Sequence, residues 1–583
     1  MRKLAVVLWS LWLGPAAATA QVDTLARDTT ARDSTARDTL EAILPVFRPE
    51  LVGGPQPAGT RYVFDADSLI FSNAYTLSDL LVHIPGVYVA RAGFVGQPEY
   101  VLYAGRGAAG VELYWDGLPY IPMGRDAAYL DPARLPLAAL ERVEVLPLPG
   151  VLRVYLVSRR QGSTHAASAV GIVDGDRDIA RYRALFARRW RSGTGISGVL
   201  EWHDIEGVPG TSSPSFQDVD LWVNLEYTPT PRVGVSYQLL SQRLKREASD
   251  PVVDAWEERR RDGLLRVFWA PGGQVVGSRL QLTIGTTSTS GDTAVQERSS
   301  ARAVVDAVLA GSRTQTSVAL RLGDARRPFD ADARASWSPM PQLVIAAEGR
   351  STRYADARNG TRARLAAGLR PFPGLSLRGE AAWSHDLEAA AFPAEPLQEA
   401  FDLAWAARWD SRWASLEVGG GRRDAFAPTP TPAGLKGIQA FSSTPRTDYV
   451  RVVGAVRPIP WLSLAGWYFD PLDGGGDFEP PTHGRISVTF FSRFLRTFPS
   501  GIFALSGEVA VESWSTWVGG ISGGMQNELI GATFVDLHIG MQIGDVNTFW
   551  TMRNANLMRA GYVPGFDFPK ARQYYGVRWQ FRN

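Results

Sequence analysis

Four pieces decide how this chain is read: Thr76-Leu-Ser-Asp-Leu-Leu-Val-His-Ile-Pro-Gly-Val-Tyr-Val-Ala-Arg91, then Gly105-Arg-Gly107, then Trp115-Asp-Gly-Leu-Pro119, then Leu140-Glu-Arg-Val-Glu-Val-Leu146. Thr76 suits a helix cap, and Asp79 in the first turn favours the positive helix end. Leu77, Leu80, Leu81 and Ile84 share one helical face, and Pro85-Gly86 stops the helix. Val111, Leu113 and Trp115 alternate with Glu112 and Tyr114 as in a strand, and Asp116-Gly117 suits a tight hairpin turn. Arg142–Leu146 reads as another short strand.

In this order the four pieces resemble the plug domain of the TonB-dependent outer-membrane receptors. That family shows an sDlLrriPGv helix, an Arg-Gly pair, an Asp-Gly hairpin and a leRIEVlrGP strand. The match covers roughly 61–158. One departure is visible. After the strand, this chain has Pro147-Leu-Pro-Gly150 and then Val151–Ser158, so the family's Gly-rich segment is largely missing.

The rest of the chain fits an exported β-barrel. Met1-Arg-Lys3, the apolar run 4–14 and the small residues Ala18-Thr-Ala20 predict a secretory signal peptide over 1–20. Beyond it no charge-free apolar run reaches about 18 residues, so no membrane helix is expected. Residues 21–40 repeat Ala-Arg-Asp-Thr/Ser at Ala26, Ala31 and Ala36, and prolines follow to residue 60. The whole of 21–60 is expected to be a disordered periplasmic tether. The formal charge of +2 does not suggest a nucleic-acid binder. Only four of the 61 basic residues are lysine, which reads as codon bias before it reads as an anion site. Absence of cysteine removes thiol chemistry, and the six histidines show no metal-ligand spacing. The protein is therefore read as no enzyme, with no cofactor or metal. Arg259-Arg-Arg261 reads as a solvated charge run before an anion attractor, and Trp514 and Trp517 as lipid-interface anchors before a ligand mouth.

From about 163 onward apolar and polar residues alternate. Val219, Leu221, Val223, Leu225 and Tyr227 oppose Asp218, Asp220, Asn224 and Glu226, and Val233, Val235, Tyr237 and Leu239 continue the pattern. Pro-x-Pro recurs at 229–231, 339–341, 371–373 and 458–460. A barrel filling 163–583 divides into 11 hairpin units of roughly 38 residues, so spacings of 110, 32 and 87 residues approximate three, one and two units. All four would then lie on one rim. The expected fold is a transmembrane antiparallel β-barrel of about 22 strands, uncertain by two to four, filled by a small N-terminal α/β plug. The expected domains are 61–160 for the plug and 161–583 for the barrel. Tyr575, Val577, Trp579 and Phe581 give the last strand an apolar outer face, and the terminal hairpin resembles the end of the same receptors, the signal read by the barrel-assembly machinery.

The resemblance implies an outer-membrane receptor, embedded in lipid and expected to be monomeric. It would import a scarce nutrient such as a metal chelate, vitamin or oligosaccharide with energy delivered by TonB and its inner-membrane complex. TonB would pair with a short strand, and Leu40, Glu41, Ala42, Ile43 and Leu44 are the contact candidates, the other reading of this stretch being a simple lead into the plug. Arg106, Glu141, Arg142 and Glu144 match family positions that contribute charged contacts between plug and barrel. Asp116-Gly117 reads as a turn only. Two alternatives stay open: a passive or structural barrel that has lost TonB coupling, and a surface interaction protein using the external loops. Substrate-binding residues are not legible.

Overall fold

The computed structural model describes residues 43–47, 54–71, 74–93, 96–123, 129–176, 178–206, 215–248, 255–273, 277–291, 298–323, 327–386, 396–428 and 438–582. The signal peptide, most of the tether, and Leu40, Glu41 and Ala42 lie outside these residues.

Residues 62–158 form a small mixed unit. Five strands lie in the spatial order Tyr62–Phe64, Leu140–Leu148, Val151–Ser158, Val111–Trp115, Leu118–Pro119. The helix after Thr76 is short, Leu77–Leu81, and the Asp79 carboxylate accepts hydrogen bonds from the Tyr75 and Thr76 N–H groups at 2.8 and 3.1 Å. The Thr76 hydroxyl itself turns to Glu99. Leu77, Leu80, Leu81 and Ile84 are fully buried against the sheet through Val143, Val145, Val154 and Leu156. Where the Gly-rich segment is missing, Pro149-Gly150 makes a tight hairpin, with Gly150 at φ 72° in the left-handed region that glycine tolerates.

Twenty-two antiparallel strands close around this unit. The first, Ala167–Gly175, pairs with the last, Arg572–Arg582, so no sheet edge is left open. Closure is the physical requirement in lipid, which offers the backbone no hydrogen-bond partner. The alternation read from the sequence sets the two faces. Leu221, Leu225 and Tyr227 are exposed outward, whereas Asp218, Asp220, Asn224 and Glu226 are buried inward. Near the short-turn rim, exposed Trp190, Tyr227, Trp269, Trp337, Trp409 and Trp579 form an outward aromatic girdle.

The Pro-x-Pro sites fall in the tight hairpins after strands Phe216–Thr230, Phe329–Met340, Asn359–Phe372 and Thr447–Ile459, which are three, one and two hairpins apart. All four are therefore on one rim. In each hairpin the pairing register shifts at that point. Proline has no N–H to give, so it sits where the ladder ends and costs no paired bond. The opposite rim carries the long connections. One of them holds its own hairpin, Trp517–Ser522 paired with Met525–Leu529. Among the described residues no helix is long and apolar enough to cross a membrane, so strands alone do the crossing.

Candidate functional site: the plug–barrel interface and the plug apex

The inner wall of the barrel is polar, and the plug meets it through charged and hydrogen-bonding groups. Four anchors stand out. Asp116 is fully buried at a turn where its own φ is 48° and that of Gly117 is 84°. Its carboxylate accepts from the Ser158 N–H at 2.9 Å, Arg160 at 2.8 Å and barrel Gln238 at 2.7 Å. Barrel Arg266 lies at 3.4 Å and also donates to the Asp116 carbonyl at 2.6 Å. Burial pushes the Asp116 carboxyl up, but Arg160, Arg266 and these hydrogen bonds outweigh it and hold its pKa well below the ordinary value. The tight turn expected from the sequence is present, and it is also a plug anchor.

Glu112 lies near the other end of the plug strand Val111–Trp115. It is bonded to plug Arg153 at 3.0 Å and to barrel Arg350 and Arg362 at 2.7 Å each. Burial again raises the carboxyl, and Arg350, Arg153 and Arg362 together bring it well below the carboxylate range. Arg153 reaches on to barrel Glu348 at 2.7 Å. Arg106 pairs with barrel Asp402 at 2.5 Å and stacks over Phe426 at 4.7 Å. Asp79, at the helix start, bonds Arg91 at 2.8 Å within the plug and barrel Arg553 at 3.2 Å.

The other charged candidates sit differently. Glu144 is paired inside the plug, with Arg61 at 3.1 Å and Arg142 at 2.8 Å. Glu141 accepts from the Arg160 N–H at 3.3 Å, beside the plug's exit into the barrel. Of the TonB-contact candidates, Ile43 is 83% exposed and forms a single β-bridge with Ser163. The Leu44 N–H donates to the Gly162 carbonyl at 2.8 Å. Just beyond them, Phe47 is buried and stacks on Phe268 at the short-turn rim, ring centroids 5.1 Å apart.

On the long-loop side, loops fold onto the plug apex. Tyr88 donates to the Tyr562 carbonyl at 3.0 Å and packs near Phe478 and Trp514. Tyr129 touches Phe441, and Thr444 donates to the Gly105 carbonyl at 2.7 Å. The loops also bind one another through an Ala440–Ile521 bridge and the Phe478 N–H to the Val518 carbonyl at 2.9 Å. Trp514 is therefore an inward residue of this aromatic cap, not a lipid anchor, because its strand parity points it at the plug. Trp517 donates to the Gly476 carbonyl within the cap. Flanking the plug, two open recesses share Arg153, Glu348 and Arg364 in their walls, next to the shortened Pro149-Gly150 hairpin. Among the described residues no acidic or histidine cluster is placed to hold a metal ion.

Sequence reasoning named Arg106 but not Asp79, Glu112, Asp116 or Arg153, nor any barrel partner. Asp79 and Asp116 carried a signal, an acid inside a plug motif, which the local cap and turn accounts absorbed.

Residues 56–152 match the TonB-dependent Receptor Plug Domain. No curated protein sequence matches significantly. Among solved structures, the siderophore receptor PirA from Acinetobacter baumannii superposes with a TM-score of 0.68 at 10% identity, over 90% of this chain and 98% of that one. The copper transporter OprC gives 0.69 at 9% identity over 92% and 100%. The FrpB iron transporter from Neisseria meningitidis gives 0.65 at 9% identity over 90% and 99%. A plug of the TonB-dependent receptor family inside a closed 22-stranded barrel gives this protein the architecture of the TonB-dependent outer-membrane receptors.

Proposed function

We propose that this protein is an energised outer-membrane receptor that imports a scarce nutrient, with TonB acting on the plug from the periplasm. The observation that carries the proposal is the nature of the plug–barrel interface. The ion pairs and hydrogen bonds between plug and barrel can be exchanged for water as the plug moves, and they stand beside apolar contacts to Phe216, Trp222 and Leu240 of the wall. The exposed Ile43, within the expected tether and on the short-turn side, supports strand addition by TonB as the input. Substrate would enter from the long-loop side, where the aromatic cap must lift before a ligand reaches Tyr88, Tyr100 and Tyr129. Siderophore, copper and iron transport by the structural neighbours makes a metal chelate the first class to screen.

Uptake assays on cells expressing the protein test this reading, using labelled ferric chelates, cobalamin and oligosaccharides. Uptake of at least one substrate should stop when the proton gradient is collapsed or when residues 21–46 are deleted. Uptake that persists under both treatments would instead support a passive barrel, the reading favoured by the shortened hairpin at Pro149-Gly150.

A further inference from the structure

A further polar recess lies where the barrel closes on itself, between plug residues Ala74 and Tyr75 and the seam of the first and last strands. Three guanidinium groups line it, those of Arg181, Arg183 and Arg578. Among the described residues no carboxylate does. Glu201, Arg183, Gly171 and Arg578 stand opposite one another, in that order, across four neighbouring strands. With strands about 4.8 Å apart, the backbones of Arg183 and Arg578 are about 10 Å apart. The residue between them has no side chain, and the recess has room for about two water molecules.

Each cation is placed by a different contact. Arg181 donates its Nε to Glu201 at 2.8 Å and a terminal nitrogen to the plug carbonyl of Tyr75 at 2.7 Å. Arg183 donates only its Nε, at 2.6 Å to the other oxygen of Glu201. Its two terminal nitrogens have no partner among the described residues. Arg578 rests over the Phe549 ring, 4.9 Å from the centroid. Gly576 makes room for that ring, since a Cβ there would lie 2.7 Å from two of its atoms. The His538 ring and the Thr551 hydroxyl, bonded to each other at 2.8 Å, complete the wall.

The acids nearby are held elsewhere. Glu201 is shared between Arg181 and Arg183. Asp218 and Asp220 lie one strand beyond Glu201, two strands from Arg183 and four from Arg578. Asp79 and Asp536 both pair with Arg553. Asp174 faces outward, and Asp176 accepts from the Gln573 N–H at the rim. The adjoining positions outside the described residues, Ser72, Asn73 and Arg177, carry no carboxylate side chain.

We infer that Arg181, Arg183 and Arg578 form a binding site for a small inorganic oxyanion of the phosphate type, seated over Gly171. The terminal nitrogens of Arg183 offer two donors in a fixed fork, which matches two oxygens of one tetrahedral anion. Arg578 faces that anion from the other side of Gly171. Guanidinium groups enclosed between plug and wall repel with little screening, and an anion between them removes that cost. A chloride would meet the charge but not the fork. The site needs the docked plug, and it is independent of TonB coupling and of the imported substrate.

The test is equilibrium dialysis of the purified full-length protein in detergent against radiolabelled inorganic phosphate, in a gluconate buffer. The parent should bind at one saturable site per chain, and sulfate should displace the label. Arg183→Gln, which leaves Glu201 its pair with Arg181, should weaken binding at least tenfold. Gly171→Val should do the same with every charge kept. A Cβ at Gly171 lies 3.7 Å from the Arg183 side chain and 3.8 Å from that of Arg578, ordinary contact distances, so the strand tolerates it. The outward-facing pair R188Q/R232Q should leave binding unchanged, and heat-modifiable mobility checks that each barrel is folded. No saturable binding by the parent would overturn the site. So would full binding by folded Gly171→Val and Arg183→Gln, or an equal loss in R188Q/R232Q. Displacement by chloride as effective as by sulfate would overturn the oxyanion assignment.

Discussion

At the residue scale, the plug is held by a few buried carboxylates with unusually many partners. Asp116 is the extreme case, since its removal leaves Arg160 and Arg266 buried without their main counter-charge. Breaking a buried pair from one side costs roughly 3–5 kcal/mol. Asp116→Ala should therefore raise amide exchange over 111–158 by about 100-fold or more while the barrel stays folded, and unchanged exchange would remove Asp116 from the anchors. The pH dependence has a definite sign. A carboxyl with a depressed folded pKa stabilises above its unfolded value, about 4, and that contribution is lost as pH falls through the folded pKa. Asp116, Glu112 and Asp79 thus keep the plug docked at constant strength from pH 8 to 5. Asp131 works oppositely. Burial, reinforced by the Glu99 carboxylate, pushes it up to about 7 against the Ala133 N–H and Arg134. Holding that group costs stability as pH rises from about 4 through 7. Asp131→Asn, which keeps an oxygen for the Ala133 N–H, should raise the plug's midpoint more at pH 8 than at pH 5. An equal gain at both values would show that Asp131 does not titrate in this range.

At the element scale, the last strand decides whether the barrel exists. Arg572–Arg582 pairs with Val546–Arg553 on one side and with Ala167–Gly175 on the other. Deleting 572–583 exposes two sheet edges to lipid, and no heat-modifiable barrel should form. A folded barrel after that deletion would mean that closure does not depend on this strand. This strand was legible in the sequence because its faces alternate locally, and the Pro-x-Pro turns were legible because a proline at a rim turn is a local event. The plug motifs were legible for the same reason. Their partners were not. Arg106 meets Asp402 across 296 residues of chain, and Arg350 meets Glu112 across 238, so nothing near either residue announces the other. Trp514 was misplaced because aromatic residues serve both the lipid interface and the lumen, and only strand parity separates the two.

At the scale of the whole molecule, a closed wall surrounds a plug held to it by ion pairs, hydrogen bonds and apolar contacts, and residues 43–47 lie on the short-turn side. Phe47 is seated on Phe268, Ile43 bridges Ser163, and the Leu44 N–H donates to the Gly162 carbonyl. In the proposed function this N-terminal segment is the handle. The central claim is that the handle is pulled by TonB, and the most direct measurement is binding of the purified full-length protein to the C-terminal domain of TonB from the same source, with and without residues 38–46. The account predicts binding by the intact chain and its loss on deletion. No binding by either chain, with the barrel shown to be folded, would contradict it.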